Sequence, residues 1–563
     1  MKFNDKESCV EGDISNLFKE FFQSVYQEPI SFDPNKFNHL TAIQDPIHNI
    51  SITRKEIKTA IKKIDKKKGP GPDLIPPTFL FKTVDTISEK LYHIFKTSLE
   101  MGTFPDIWKN SFITPIFKSG NKSDIRNYRG IAILSCIPKL FESIVTQKIT
   151  SHLSGFISSK QHGFTKRRST VTNLSVYTSY LRTEMAKRRQ IDVIYTDFQK
   201  AFDRVDHKLL IFKLRKIGIE GAILDWISSY LTNRTQVVKF KNSLSEEINV
   251  ISGVPQGSHL GPLLFNLFIN DLGVLLTNCE FLFYADDLKI FKAISKPSDT
   301  DHIQTDLNSL NLWCFHNGMQ LNVKKCNVIT FSKLNHTIVN QYKIGNDTLE
   351  RINLVRDLGV LFDDKLHFHH HIDKICNSSM SMLGFIKRRT YEFNDPYVTR
   401  TLYLSLVRPL LENACTVWSP CYDTYSNRIE SVQKQFMLFS LRNLGWSSYR
   451  LPRYENRLFL LNLITLKARR ELFDCMYIFD LLRNNIDCNV LSDKIIINEN
   501  RRDLRHTRFL IEHFSRNNYT FNDTTNRSIR NFNKFSNFYD DRVSRNTFKS
   551  RVIRELQNIM RSF

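Results

Sequence analysis

The sequence predicts an α+β fold, a sheet covered by helices on one face, followed by a mainly helical C-terminal region. Three observations lead there. Residues 191–295 alternate strand, helix and hairpin patterns. After residue 370 the apolar positions recur mostly at helical spacing. A hydrophobic fraction of 41%, with 12% aromatics, over 563 residues supplies apolar surface for several packed cores. A chain this long exceeds one simple core, so about two to four domains or a multi-lobed enzyme are expected.

Element by element, DISNLFKEFFQSVYQ (13–27) and TRKEIKTAIKKI (53–64) have the spacing of amphipathic helices. DKKKGPGPDLIPP (65–77) breaks the pattern, because proline and glycine cannot continue a helix there; three lysines make it a stiff basic loop. SFITPIFKSGNKSDIRNYRGIAILSC (111–136) reads as strand, turn, strand, with Lys118 and Arg129 on its two sides. IDVIYTDF (191–198) is an apolar strand ending at Asp197, and KAFDRVDHKLLIFKLRKIG (200–218) is the helix expected after it. QVVKFKN (236–242) and EEINVISG (246–253) form a hairpin, GPLLFNLFINDLGVLL (261–276) a buried helix, and FLFYADDLKIF (281–291) a second hairpin turning at its two aspartates. A helix over DTDHIQTDLNSLNLWCFHNG (299–318), a strand over LNVKKCNVITFS (321–332) and a strand pair in LVRDLGVLFDD (354–364) complete the region.

The formal charge is +23, from 80 Lys and Arg against 57 Asp and Glu, which favours a polyanionic partner such as nucleic acid. From Glu499 onward the chain is rich in Arg and Asn, with 14 Lys and Arg against 7 acidic residues. No stretch is both long and apolar enough to predict a membrane helix, and the first twenty residues lack the apolar run of a secretory signal. The ten cysteines contain no C-x-x-C pair, so neither a disulfide framework nor a zinc module is expected. Cytoplasm and nucleus are the compartments that fit.

Asp286 and Asp287 lie between two apolar runs, where adjacent unpaired charges are costly and call for a partner. An Asp-Asp pair by itself is more often a solvated turn. With Asp197 at another strand end, however, three carboxylates could hold two divalent ions about 3.5–4 Å apart, which suits nucleotidyl transfer. Mg²⁺, a hard ion that takes one or two carboxylates plus substrate phosphates, fits such a donor set, with Mn²⁺ as an alternative.

YTDFQKAFDRVDH (195–207), GVPQGSHLGPLLFNLFINDL (253–272), FYADD (283–287), LNVKKC (321–326) and LGVLF (358–362) together resemble, in order, the polymerase motifs of reverse transcriptases, closest to those of non-LTR retrotransposons of the Jockey-like type. GPGPDLIP, ITPIFKSGNKSDIRNYRGIAILS and QHGFTKRRST resemble fingers-side motifs of that family. The likeness runs from about residue 13 to about 480. It implies a right-hand polymerase: an N-terminal helical extension (1–50), fingers (51–190), palm (191–364, the core spanning roughly 105–365), thumb (365–460) and a basic helical C-terminal region (461–563).

Carried over by position, the resemblance makes Asp197, Asp286 and Asp287 the metal ligands, with the carbonyl of Phe198 joining them. Phe202 becomes the steric gate against a ribose 2′-hydroxyl, and Gln256 and Gly257 line the incoming nucleotide. Lys118 and Arg129 grip its triphosphate. Lys325 is the general acid for the leaving pyrophosphate. Tyr284 and Ala285 lie near the primer end, with Leu358 and Gly359 in the primer grip. Asp203, Asp206 and His207 are expected to cap or pair. His367, His369, His370 and His371, without a carboxylate or cysteine at ligand spacing, read as the exposed start of a thumb helix.

The implied partners are an RNA template, a DNA primer or target DNA, and dNTPs. The endonuclease domain that usually precedes the polymerase in this family has no room before these motifs, so a separate endonuclease, or a longer element of which this is a fragment, is expected. The alternative is an inactive nucleic-acid-binding remnant of a truncated mobile element.

Overall fold

The computed structural model describes residues 1–4, 6–393, 395–442, 451–498, 509–515 and 517–561. Part of the basic tail, 499–508, lies outside them. Helix α1 (Glu11–Gln23) buries Ile14, Leu17, Phe18, Phe21 and Phe22 on one face. Helix α2 (Arg54–Lys62) opens with a reciprocal cap between Thr53 and Glu56, and α3 (Val84–Glu100) follows the basic loop. Strands β1 (Asn110–Phe117) and β2 (Tyr128–Ile133) pair antiparallel, placing Ile116 opposite Arg129. Helices α4 (Cys136–His152) and α5 (Thr170–Ala186) lead to β3 (Gln190–Thr196), and α6 (His207–Lys216) and α7 (Gly221–Leu231) come next. The hairpin β4 (Arg234–Phe240) and β5 (Ser243–Val250) joins not β3 but β1, in the order β2-β1-β4-β5, and α1 packs on that sheet through Ile113, Val238 and Ile248.

After α8 (Leu260–Ile269) come β6 (Glu280–Tyr284), β7 (Asp287–Ile294), α9 (Ser298–His316), β8 (Asn327–Phe331) and β9 (Glu350–Ile352). With β3 they build the second sheet, ordered β9-β8-β3-β7-β6; only β8 and β9 run parallel. A separate hairpin, β10 (Leu354–Asp357) and β11 (Val360–Asp363), precedes α10 (His369–Arg389). Helices α11 (Asp423–Arg442), α12 (Leu466–Leu482), α13 (Thr524–Asn533) and α14 (Arg545–Arg561) follow, so the described C-terminal part is mainly helical as expected. Among the described residues, no helix is long and apolar enough to cross a membrane.

The β3 sheet is covered on both faces, not one. Ile194, Leu288 and Ile290 enter a core with α2–α4 and α6–α9, whereas Ile191, Val193 and Phe291 enter another with α5, α10 and α11. The physical sign was that β3 places apolar residues on both of its faces, Ile191 and Val193 on one and Ile194 on the other, whereas a strand with one wet face alternates polar and apolar residues throughout. The helix expected from residue 200 begins only at His207. Lys200 is left-handed (φ 51°), and the carbonyls of Phe202 and Val205 accept N–H donors from Val254 and Gly253 (both 2.8 Å), spending the backbone of 201–205 outside any α-helix. The run 261–276 also breaks in two, because Asp271 is drawn into a buried ion pair with Lys213 (2.8 Å) and accepts from the Trp313 indole (3.1 Å). LNVKKC forms a 3₁₀ turn (Val323–Lys325) rather than strand, which starts at Asn327.

Candidate active site

The chain end of β3 and the β6–β7 turn meet at one edge of the sheet. Thr196 pairs with Leu288, which sets Asp197 beside Asp287. The turn itself is Ala285–Asp286: Tyr284 pairs with Asp287, so Asp287 is the first residue of β7 rather than part of the turn. Burial pushes the Asp286 carboxyl above its usual range, with Asp197 adding to the rise and Arg129 and Lys118 opposing it. Desolvation in the cleft, then Asp286, Asp357 and Asp197, push Asp287 up to about 6. The aspartates therefore face one another with their charge only partly compensated. Hard oxygen donors in this state suit a divalent cation such as Mg²⁺.

The three carboxylates are nevertheless not drawn into one tight cluster. Among the described residues, the group of His, Cys, Asp or Glu ligand atoms lying within 4.8 Å of one another is Asp363, His367 and His369. Asp363 thus stands within ligand distance of two of the histidines, where no carboxylate at ligand spacing was expected. The Asp363 oxygens are occupied by the backbone N–H groups of Lys365 (3.1 Å), His367 (3.0 Å) and Phe368 (2.7 Å), so this carboxylate closes the loop before α10. The helix does start at His369, as expected. His371 alone of the four is buried, its Nδ1 accepting from Leu361 N–H (3.3 Å) and its pKa pushed down to about 4 by burial.

Asp197 is anchored through its carbonyl, which accepts from Asn322 N–H (2.7 Å), and its carboxylate meets Lys325 Nζ at 3.2 Å. The 3₁₀ turn thus carries Lys325 to the carboxylates. Phe198 turns its ring into the core against Trp313 (centroids 6.3 Å apart). Phe202 stacks on Phe265 (4.2 Å) with Phe164 edge-on to it (6.0 Å). Gln256 donates to Asp203 Oδ1 (2.8 Å), and its carbonyl accepts from Ala132 N–H (2.8 Å), tying the VPQG loop to β2 and hence to Arg129. Gly257 has φ 122°, and a Cβ there would sit 2.4 Å from the Ala132 carbonyl oxygen, so only glycine fits. Asp206 caps α6 through Leu209 N–H (2.7 Å) and His207 bonds the Gly253 carbonyl (2.7 Å), the capping and pairing roles expected. Lys118 and Arg129 are both exposed, on neighbouring positions of the β1–β2 hairpin.

A cleft of about 400 Å³ runs from Asp197, Tyr284, Asp287 and Lys325 to Asp357 and Leu358. Leu358 and Gly359 make the β10–β11 turn with positive φ (44° and 93°). Beneath them Asp357 forms a buried ion pair with Lys289 and accepts from the Tyr195 hydroxyl (3.3 Å), whose oxygen also lies 2.9 Å from the Tyr177 hydroxyl. This pair, which links β7 to the β10–β11 hairpin, was missed in the sequence. An alternating strand with a lysine inside was its one signal. Lys200 was missed as well: Lys118, Arg129 and Lys325 all act on its charge, so it belongs to the same cationic rim.

Carboxylates at the edge of a mixed sheet, rimmed by lysine and arginine beside an open cleft, are chemically suited to phosphate-bearing substrates. Residues 118–386 match the family described as reverse transcriptase (RNA-dependent DNA polymerase), and the chain carries that domain. It is 27% identical over 396 residues to the RNA-directed DNA polymerase from mobile element jockey of Drosophila melanogaster, covering 68% of this chain and 43% of that protein. It is also 27% identical over 455 residues to the probable RNA-directed DNA polymerase from transposon BS of the same species, covering 77% and 49%. The probable RNA-directed DNA polymerase from transposon X-element is 26% identical over 393 residues. The chain spans somewhat less than half the length of these curated relatives.

Proposed function

We propose that this chain copies an RNA template into DNA, adding deoxynucleotides to a primer 3′-end, as a non-LTR retrotransposon reverse transcriptase. The observation that carries the reading is the meeting of Asp197 with Asp286 and Asp287 at one sheet edge, under the influence of Lys118, Arg129 and Lys325, inside the matched domain. In this reading the hand has its palm on the five-stranded sheet (191–364) and its fingers at 51–190, joined by the β4–β5 hairpin. The thumb is 365–460, followed by the basic region 461–563.

Asp197, Asp286 and Asp287 would hold two Mg²⁺ ions, which when bound stabilise charge on the attacking 3′-oxygen and the leaving pyrophosphate. Lys118 and Arg129 bind the triphosphate, the arginine through its forked donors. The Phe202 ring, backed by Phe265, stands where a ribose 2′-hydroxyl would fall. Gln256 and Gly257 form the floor beneath the nucleotide. Lys325 donates a proton from Nζ to the leaving pyrophosphate, and the Leu358–Gly359 turn supports the primer end. The test is incorporation by the purified protein on poly(A) RNA with an oligo(dT) primer: dTTP should be incorporated and UTP strongly disfavoured. Preference for UTP would turn the reading towards an RNA polymerase.

A further inference from the structure

The stretch QHGF (161–164), which by resemblance belongs to the fingers side, packs against the β6–β7 turn. Phe283 N–H donates to the Lys160 carbonyl and His162 N–H to the Phe283 carbonyl (both 3.0 Å), so the segment bridges to β6 in parallel at Gln161. The Gln161 side chain is 3% exposed and reaches one residue further along the hairpin. Its Oε1 accepts from Ala285 N–H (3.0 Å) and from Gly163 N–H (2.7 Å), while its Nε2 donates to the Ala285 carbonyl (3.3 Å). One side-chain amide thus satisfies both backbone groups of a single residue, as a neighbouring strand would.

That residue is a demanding one. Ala285 is a non-glycine with φ 57°, a conformation that costs about 1 kcal/mol or more and persists only where the surroundings impose it. Asp286 is the next residue. At Gly163 a Cβ would stand 2.1 Å from Ala285 N, so this close approach requires glycine. The amide of Asn173 adds a third hold, donating to the Phe283 carbonyl (3.0 Å).

We propose that Gln161 is a positioning residue of the reaction: it clamps the Ala285 backbone so that Asp286 and Asp287 are held in register for a divalent cation. The proposal rests on the metal-binding reading of Asp286. Gln161→Met keeps length and removes all three bonds; Gln161→Glu keeps the acceptor and loses the donor to Ala285. Both should lower kcat by about 10- to 100-fold, the scale of a misplacement near 1 Å. KM for dTTP should stay within about twofold, because Lys118 and Arg129 are untouched. Two further readouts do not require turnover. Hydrogen exchange at the Ala285 amide should be slow in the unmodified protein and accelerate in both variants, with exchange in α8 and α9 unchanged. Calorimetry should show weaker Mn²⁺ binding.

A rapidly exchanging Ala285 amide in the unmodified protein overturns the clamp even if neither variant folds. Unchanged kcat and unchanged Mn²⁺ affinity in a folded Gln161→Met overturn it too, provided Asp286→Asn abolishes activity. If Asp286→Asn leaves activity intact, the reading of the site fails instead.

Discussion

Lys289→Met tests how the β10–β11 hairpin is held to the strand carrying Asp287. Lys289 and Asp357 are 5% and 6% exposed, and burial pulls the Lys289 pKa down against the pull of Asp357. With the ammonium gone, Asp357 keeps the Tyr195 hydroxyl at 3.3 Å but loses its counter-charge in a site with little water. Breaking one side of a buried pair costs about 3–5 kcal/mol, whereas replacing both sides with apolar groups is often neutral. The Lys289→Met/Asp357→Leu double variant should therefore recover most of the loss, and Tyr195 would still have Tyr177. Native-state hydrogen exchange across β7 and β10 is the assay. The single variant should speed exchange there by about 10² to 10³·⁵, at 1.4 kcal/mol per decade, and the double variant should restore most of it. Equal acceleration in single and double variants, or a single-variant effect below about 1 kcal/mol, would refute the argument that an uncompensated buried charge sets the cost.

Other consequences can be measured directly. Phe202→Ala should raise ribonucleotide incorporation; unchanged sugar selection with lower stability would make the ring, stacked on Phe265, a packing residue only. Asp287 holds its proton up to about pH 6 when folded and only to about pH 4 when unfolded, so the folded metal-free protein binds more protons in that window. Its contribution to stability is thus complete below about pH 4 and lost as pH rises through about 6, and a cation should reverse that loss. Added Mg²⁺ should raise the melting temperature more at pH 7.5 than at pH 5; an equal rise at both would contradict the assignment. Gly257→Ala should impair nucleotide binding by driving a Cβ into the Ala132 carbonyl, visible as a raised KM for dTTP.

Much of this was legible in the sequence because strand ends and turns carry local signals. The hairpins at 110–133, 234–250 and 280–294 follow from β-branched runs around polar turns, and Asp197 was recognisable as the polar stop of an apolar strand. What the sequence concealed is long-range. No local pattern says that β4 pairs parallel with β1, that the second sheet is buried on both faces, or that Asp271 breaks a helix to meet Lys213. Phe202 fits a helical period, yet its carbonyl is claimed by Val254 N–H in the loop after β5. Gln161 stood inside a recognised stretch, but its role depends on contact with a turn more than a hundred residues later. Asp363, by contrast, is close in sequence to His367 and His369, and only the tight loop it closes before α10 brings it to them.

The most direct test of the central claim is extension of an oligo(dT) primer on poly(A) RNA with dTTP and Mg²⁺, comparing the unmodified chain with Asp197→Asn and Asp286→Asn. Each substitution keeps the side chain's size while removing its charge. The account predicts extension by the unmodified protein and none by either variant, with all three binding primer–template equally well. Undiminished extension by either variant would contradict it.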